Sequence, residues 1–190
     1  MTKALALNTL ALFSRASDGD LDTRQMCLGQ VEKALTDAPH QGSLLACKAA
    51  LLVLLAARVA SPEVAQRYLR VSMQMVTLLG EDSPLQDQAE MHLMNGLAWA
   101  EIAQSPEADA QALRHLQQVT QASHLHRLEP IDQLAAWAAL SVLHQEAGQA
   151  DHSRQAFAYA CDINRPKAIT AFERLIQLRA RPMPGTTATE

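Results

Sequence analysis

The sequence has few aromatic residues, few glycines and prolines, and no long uncharged apolar run. Aromatic residues make up 4% of the 190 residues although hydrophobic residues reach 48%, so the apolar fraction is mostly Ala, Leu, Val, Met and Ile. Strand-rich domains use β-branched and aromatic residues to cover a pleated surface, and their many turns need more than 7 glycines and 8 prolines. The composition therefore excludes a sandwich or a barrel and predicts an all-α fold.

The chain also lacks an excess of positive charge and a paired set of cysteines. With 16 Lys and Arg against 20 Asp and Glu, the net charge is -4, which does not suit a partner made of phosphates. Cys27, Cys47 and Cys161 are odd in number and show no CxxC spacing, which is typical of free thiols in a reducing compartment. We therefore expect no nucleic-acid partner and a cytoplasmic location.

Membrane and export signals are weak. The most apolar stretch, residues 43–60, contains Lys48 and Arg58, so its uncharged part is shorter than the roughly 20 residues of a membrane-spanning helix. Residues 4–13 resemble the apolar part of a signal peptide, but Asn8 and Thr9 interrupt them and no small-residue cleavage site follows. We expect neither membrane association nor secretion.

Helix-start signals divide the chain at short intervals. The segments 61–63 and 105–107 each read Ser-Pro-Glu, which supplies an N-cap, a proline at the first helical position and an acid in the first turn, and 83–84 repeats the Ser-Pro pair. Other breaks fall at 17–20, 39–42, 129–130, Gly148 and 164–166. The pattern predicts one domain over residues 1–180 and a disordered tail over 181–190. The predicted helices are 2–16, 22–38, 43–60, 62–80, 84–104, 107–123, 130–147, 150–163 and 166–180.

The second helix of each predicted hairpin carries a small-large-small pattern, which lets two helices approach closely. The members are Cys27, Val31, Ala34; Ala65, Leu69, Ser72; Ala112, Leu116, Val119; and Ser153, Phe157, Ala160. The last hairpin, with Trp137, Leu140, Ser141, His144, Gly148, Ser153, Phe157 and Ala160, resembles a tetratricopeptide repeat. Gly96 and Trp99 lie where the third hairpin would have its small residue and its aromatic. The resemblance covers residues 2–163 and implies a right-handed solenoid of about four helical hairpins, with 166–180 as a capping helix. A closed helical bundle is the alternative fold.

In that family the first helices of successive repeats line a concave groove, so the resemblance also implies a binding surface. Its apolar floor would be Leu51, Leu54, Leu93, Met94, Leu97 and Val142, together with Cys47, Ala50, Ala135, Ala138 and Ala139. Its polar rim would be Arg58, Glu90, Glu101, Gln145 and Glu146. The family's Lys-Asn-Arg clamp for a terminal carboxylate has no counterpart at these positions, which disfavours a ligand that ends in a carboxylate. The alternative interpretation is that the groove is filled by the N-terminal helix (Leu5, Leu7, Leu10, Leu12, Phe13), by the capping helix, or by a second copy in a homodimer.

The expected function is therefore protein–protein interaction, in which the groove binds an apolar or amphipathic segment of a partner. In size, acidity and groove character the chain resembles the cytosolic tetratricopeptide chaperones of bacterial type III secretion, which suggests an adaptor or a chaperone. The other hypotheses are a regulatory protein that senses a small ligand, and a noncatalytic subunit or homo-oligomer.

Enzymatic chemistry finds little support. His124 and His126, with Glu129 beyond them and His115 before, form the densest group of metal-ligand residue types. Two residues at i and i+2 on a helix point to different faces, so exposed histidines at a helix end are the preferred interpretation. No HExxH, GxGxxG or GxxxxGK motif occurs. Trp99 and Trp137 are interpreted as packing residues. We expect no enzyme, no metal and no cofactor.

Overall fold

The computed structural model describes residues 8–78, 85–102 and 105–180. Within these ranges the chain forms helices and no strands, which confirms the all-α prediction. The described helices are α1 (Thr9–Asp18), α2 (Leu21–Asp37), α3 (Gly42–Ala56), α4 (Pro62–Leu78), α5 (Leu85–Ala100), α6 (Pro106–Val119), α7 (Ala122–Leu125), α8 (Pro130–Glu146) and α9 (Ala150–Arg179). Residues 2–7 of the first predicted helix, the 83–84 start signal and the 181–190 tail lie outside the described residues.

Several predicted helix starts are confirmed by side-chain caps. The hydroxyl of Ser61 accepts a hydrogen bond from the backbone N–H of Val64 at 3.3 Å, and Ser105 caps Ala108 in the same way at 3.2 Å. Such a cap satisfies one of the N–H groups that the first turn of a helix leaves without a partner. These starts depend on local sequence alone, which is why the pattern locates them.

Three predicted helix ends are wrong. Helix α3 ends at Ala56 instead of residue 60, α5 ends at Ala100 instead of residue 104, and the segment predicted as 107–123 is divided between α6 and the short α7. Thr120 is the C-cap of α6, and its hydroxyl donates to the carbonyl of Leu116 at 3.2 Å.

The break predicted at 164–166 is confirmed within α9: Asn164 has φ of -162° and ψ of 100°, which is not helical, and its side chain accepts from the backbone N–H of Lys167 at 3.1 Å, so a second helical segment begins there. We call residues 166–179 the C-terminal arm of α9.

Helices that follow each other in the chain pack as antiparallel pairs, α1 on α2, α3 on α4, α5 on α6 and α8 on α9. The first members of these pairs, α1, α3, α5 and α8, contact one another in succession.

Small residues bring the paired helices close. A Cβ at Gly96 of α5 would lie 2.7 Å from Cγ of Leu116 in α6, so only glycine fits there. Ser141 of α8 is buried and donates to the carbonyl of Ser153 in α9 at 2.9 Å. Between these two helices Gly148 has φ of +72°, a left-handed conformation that favours glycine at the end of a helix.

Two buried arginines join the ends of different helices. Arg24, 1% exposed, donates to the carbonyl of Ala16 at the end of α1 and to that of Leu54 at the end of α3. Arg179, 3% exposed, donates to the carbonyl of Ala100 at the end of α5 and to the Glu146 carboxylate at the end of α8. A cation is favourable at a helix C-terminus because the unpaired carbonyls there carry partial negative charge. In the described residues, no helix combines the length and the apolar character that crossing a membrane requires.

Candidate binding groove

The apolar floor expected from the sequence is largely covered by the chain itself. Leu51, Leu54, Met94 and Val142 are 0–1% exposed and belong to the main hydrophobic core. Helix α1 lies on α3, and the Cys47 thiol donates to the carbonyl of Thr9 at 3.6 Å. In this conformation these side chains are therefore not available to a partner. For α3, the structure agrees with the alternative in which the N-terminal helix fills the groove.

What stays open is a narrower groove between α1, α5, α8 and the C-terminal arm of α9. It consists of two adjoining cavities of about 430 and about 110 Å³. Their shared walls include Leu97 of α5, Ala135 of α8 and Ala171 of the arm, and we call this space the α1–α9 groove. Other apolar residues of its lining are Leu10 and Phe13 of α1, Leu93 of α5, and Ala138 and Ala139 of α8, although Leu93, Ala138 and Ala139 are only 1–2% exposed. Part of the expected floor therefore faces open space.

Arg174 crosses the groove and joins its two walls. It projects from the C-terminal arm, donates to the carbonyl of Ser17 at 3.0 Å and to the Ser17 hydroxyl at 3.2 Å, and forms an ion pair with Asp18. Beyond this bridge lies a third cavity of about 240 Å³, whose lining includes Arg24, Arg58 and Arg174. We call it the arginine cavity. The apolar groove thus ends at a cavity whose lining includes three arginines, of which Arg24 is buried in an ion pair with Glu101 and Arg174 is paired with Asp18.

Glu101, expected on the polar rim, is 8% exposed and has a structural partner. Its carboxylate accepts from Arg24 Nη2 at 2.9 Å and from the Ser17 hydroxyl at 2.8 Å. Opposite charges in contact attract each other more strongly away from water than in water. Removal of either charge would leave the other buried without its partner. Glu101 is therefore a member of the network that fixes α1 and α2 against α5, although it also lines the smaller cavity.

The remaining expected rim residues divide into two groups. Arg58 lines the arginine cavity. Glu90 is half-buried on α5, whereas Gln145 and Glu146 are exposed at the end of α8, and none of the three lines the α1–α9 groove. Sequence reasoning did not identify Arg24, Ser17 or Arg174 as parts of this region. The charged residues on the otherwise apolar C-terminal arm were the available signal for Arg174.

One carboxyl group at the groove is electrostatically perturbed. Asp132 of α8 lines the larger cavity, and burial is the main cause that raises its pKa. The negative charges of Glu129 and Glu90 act in the same direction. A carboxyl that water reaches poorly and that lies near other acids holds its proton more strongly. Lys167 of the C-terminal arm lines the same cavity, so this end of the groove carries side chains of both charges.

The chain matches no protein-family model, no curated protein and no solved structure.

A second polar cluster lies away from the groove, where three imidazoles meet between α5, α6 and α7. The ring centroid of His92 is 5.2 Å from that of His115 and 5.7 Å from that of His124. The Nδ1 atoms of His92 and His115 are 2.9 Å apart, so one neutral ring donates to the other. His124, expected to be exposed, is 7% exposed and donates from Nδ1 to the carbonyl of Gln118 at 2.9 Å. The end of α6 at Val119 is what allows His124 to turn inward.

Burial lowers the pKa of His92 to about 4 and that of His115 to about 3, and the charges of neighbouring histidines and of Arg114 act in the same direction. The imidazoles of His92 and His115 therefore stay neutral at physiological pH. Across the part of the chain that the structure describes, no three His, Cys, Asp or Glu side chains are placed to hold a metal ion. The pair formed by His92 and His115 is a packed, uncharged polar contact between α5 and α6.

The cysteines are free, as expected. Burial raises the pKa of the Cys27 thiol and raises that of Cys47 to about 12. Because the thiolate is the reactive form, these two groups are poor nucleophiles. Trp99 is 3% exposed inside the core, and Trp137 stacks on Tyr159 with ring centroids 4.7 Å apart.

Proposed function

We propose that this protein is a cytoplasmic interaction module, a solenoid of tetratricopeptide-like hairpins that binds a short apolar segment of a partner protein in the α1–α9 groove. The observation that carries the proposal is the cavity of about 430 Å³, in which Leu, Phe, Ile and Ala side chains form the apolar part of a lining that also includes polar and charged residues. Its volume lies within the range of about 300–1,000 Å³ that is typical of binding pockets. An apolar side chain that leaves water for this space gains the free energy of burial.

The packing of the helices supports the repeat part of the proposal. Successive contacts among α1, α3, α5 and α8, with a second helix on each, are the arrangement that stacked hairpins produce. The close approaches at Gly96 and at Ser141 fall on the small-residue positions of the repeat pattern. The free thiols agree with a reducing compartment.

The test fills the groove without adding charge. Ala135→Trp would place an indole in the larger cavity, and Ala158→Trp places the same side chain at an exposed position on the N-terminal half of α9. The immobilised wild-type chain and both variants are used to capture proteins from native cell extract, and the bound proteins are identified by mass spectrometry. We expect wild type and Ala158→Trp to retain the same partner and Ala135→Trp to lose it. A partner retained by Ala135→Trp would contradict the groove assignment.

The volume of the groove also favours a second candidate, a sensor of a small apolar ligand, because a molecule of drug size fits a cavity of about 430 Å³. Such a ligand binds the folded chain alone and raises its melting temperature in the absence of any protein. A compound that raises the melting temperature of wild type and of Ala158→Trp, but not of Ala135→Trp, would identify this function.

A further inference from the structure

A second apolar surface lies on α4, away from the α1–α9 groove. Leu69 and Met73 of this helix pack against the main core, and Ser72 is fully buried. Four other apolar side chains of α4 are packed against neither the main core nor the smaller core that α8 and α9 form. They are Val64, which is 39% exposed, and the half-buried Tyr68, Val71 and Met75. We call these four residues the α4 stripe.

The α4 stripe forms one continuous face. Its members are four, three and four residues apart, a spacing that places them on the same side of a helix. From Val64 to Met75 the helix rises by about 16 Å. Among the described helices only α3 is in extensive contact with α4, so no further helix covers the stripe. An uncovered apolar face of this length is typical of a surface that binds another protein.

The charges beside the stripe are positive and have no partner. Arg67 lies one turn from both Val64 and Val71, and the exposed Arg70 follows it one turn later. Within the described residues neither guanidinium forms an ion pair or a hydrogen bond. The acid of the same helix, Glu63, accepts from the hydroxyl of a serine in the preceding turn at 2.8 Å and is not paired with either arginine. Helix α4 thus has an excess of positive charge on a chain whose net charge is -4.

These features define the chemistry of an occupant. The backbone groups of α4 are bonded within the helix, so a segment that packs on it must satisfy its own backbone groups, which a helix does and an extended strand does not. A second copy that used the same surface would bring Arg67 and Arg70 of the two copies together, and like charges repel. Acidic side chains on the occupant would instead form the ion pairs that α4 lacks.

We propose that the α4 stripe is a second interaction surface, and that its partner is an amphipathic helix with Asp or Glu beside its apolar residues. The inference is independent of the α1–α9 groove. Burial of the apolar side chains supplies the affinity, whereas the pairing of acids with Arg67 and Arg70 selects the partner and its orientation.

The probe is a library of helix-forming peptides of about 16 residues, or roughly four turns. Each peptide has Leu along one face and Glu, Gln or Lys in random choice beside that face. The library is selected against the full wild-type chain, Val71→Asp and Arg67→Glu. Gln66→Asp, at an exposed position on the opposite side of α4, is the control for Val71→Asp. Lys33→Glu, which reverses an exposed charge on α2, is the control for Arg67→Glu. Helical content and melting temperature are measured for every variant, and Val64→Asp replaces Val71→Asp if the latter does not fold.

We expect wild type, Gln66→Asp and Lys33→Glu to select helices with Glu beside the Leu face. Val71→Asp should bind them about tenfold more weakly, because a carboxylate in the stripe would be buried against Leu. Arg67→Glu should keep the Leu face and exchange Glu for Lys. For wild type, replacing one selected Glu by Gln should weaken binding about threefold, the loss of an ion pair at an exposed edge. Ala135→Trp, which fills the groove, should bind the peptides as wild type does.

Several results would overturn the inference. Selection of no peptide, binding that Val71→Asp and Val64→Asp leave unchanged, or binding that Ala135→Trp abolishes would show that the stripe is not the site. Selection without a preference for Glu, or a preference that neither Arg67→Glu nor Arg70→Glu alters, would contradict the charge argument. A mass in solution that rises with concentration for wild type but not for Val71→Asp would identify a second copy as the occupant. The proposed function of the α1–α9 groove is tested separately and survives each of these failures.

Discussion

The buried imidazoles of His92 and His115 should make the fold sensitive to mild acid. In the unfolded chain a histidine has a pKa of 6.5, whereas burial in the fold lowers it to about 4 for His92 and about 3 for His115. The folded state therefore binds fewer protons, and its stability is complete above pH 6.5 and falls as the pH drops below that value. Between the unfolded and folded pKa values, each pH unit costs about 1.4 kcal/mol per imidazole.

At pH 5.5 the two groups together should lower the free energy of unfolding by about 2–3 kcal/mol, with the smaller value allowing for the water that still reaches His92. The charged or titratable groups that act on the pair are Arg114 on α6 and His124 on α7, and a protonated imidazole gains no attraction from either. For a chain of this length the loss corresponds to a fall in melting temperature of about 4–10 °C.

The assay is urea unfolding followed by circular dichroism at pH 7.5, 6.5 and 5.5. The double variant His92→Gln/His115→Gln keeps a polar contact without a titratable group, so its stability should change little over this range. His126→Gln is the control, because His126 is exposed and its removal should leave the wild-type slope. An equal slope in the double variant and in wild type, or NMR titration of both imidazoles near pH 6.5, would refute the reasoning.

Two further predictions concern the frame that holds the groove. Arg24→Met should lower the free energy of unfolding by about 3–5 kcal/mol, because it leaves the Glu101 carboxylate buried without its partner; Arg24→Met/Glu101→Leu should recover part of that loss in the same urea assay. Gly148→Ala should cost about 1–2 kcal/mol, because φ there is +72°. Gly29→Ala, in the interior of α2 with open space around the added carbon, should instead stabilise by about 0.5–1 kcal/mol, and a loss at both glycines would contradict the conformational argument.

Local signals made the helices predictable, whereas the groove required contacts between distant residues. Ser61 and Ser105 cap helices through bonds to residues three positions away, so a single sequence reveals them. The backbone carbonyl of Leu54 is instead bound by Arg24, which joins the ends of α1 and α3 to the Glu101 carboxylate far along the chain. Hydrophobic periodicity contains no information about which other helix will cover an apolar face. The expected groove was therefore too wide, and the part of it on α3 became core.

The histidine cluster was not predicted for a related reason. His92 lies on α5 and His115 on α6, and their pairing follows from the close approach of these helices at Gly96. The third imidazole, His124, joins them only because the helix ends at Thr120, earlier than its periodicity indicates. Because α6 ends a few residues earlier than predicted, His124 is buried instead of exposed.

The contact between Arg174 and α1 has a consequence for how the chain folds and opens. It joins residues that are 157 positions apart in the sequence. In helical-repeat proteins each unit contacts only its neighbours, so the ends can fray while the middle stays folded. Here one exposed side chain joins the first and last described helices, and its ion pair with Asp18 contributes about 1 kcal/mol or less. Loss of this bridge should change hydrogen exchange in α1 and in the C-terminal arm only slightly, because α1 packs mainly on α2 and α3 and α9 packs mainly on α8.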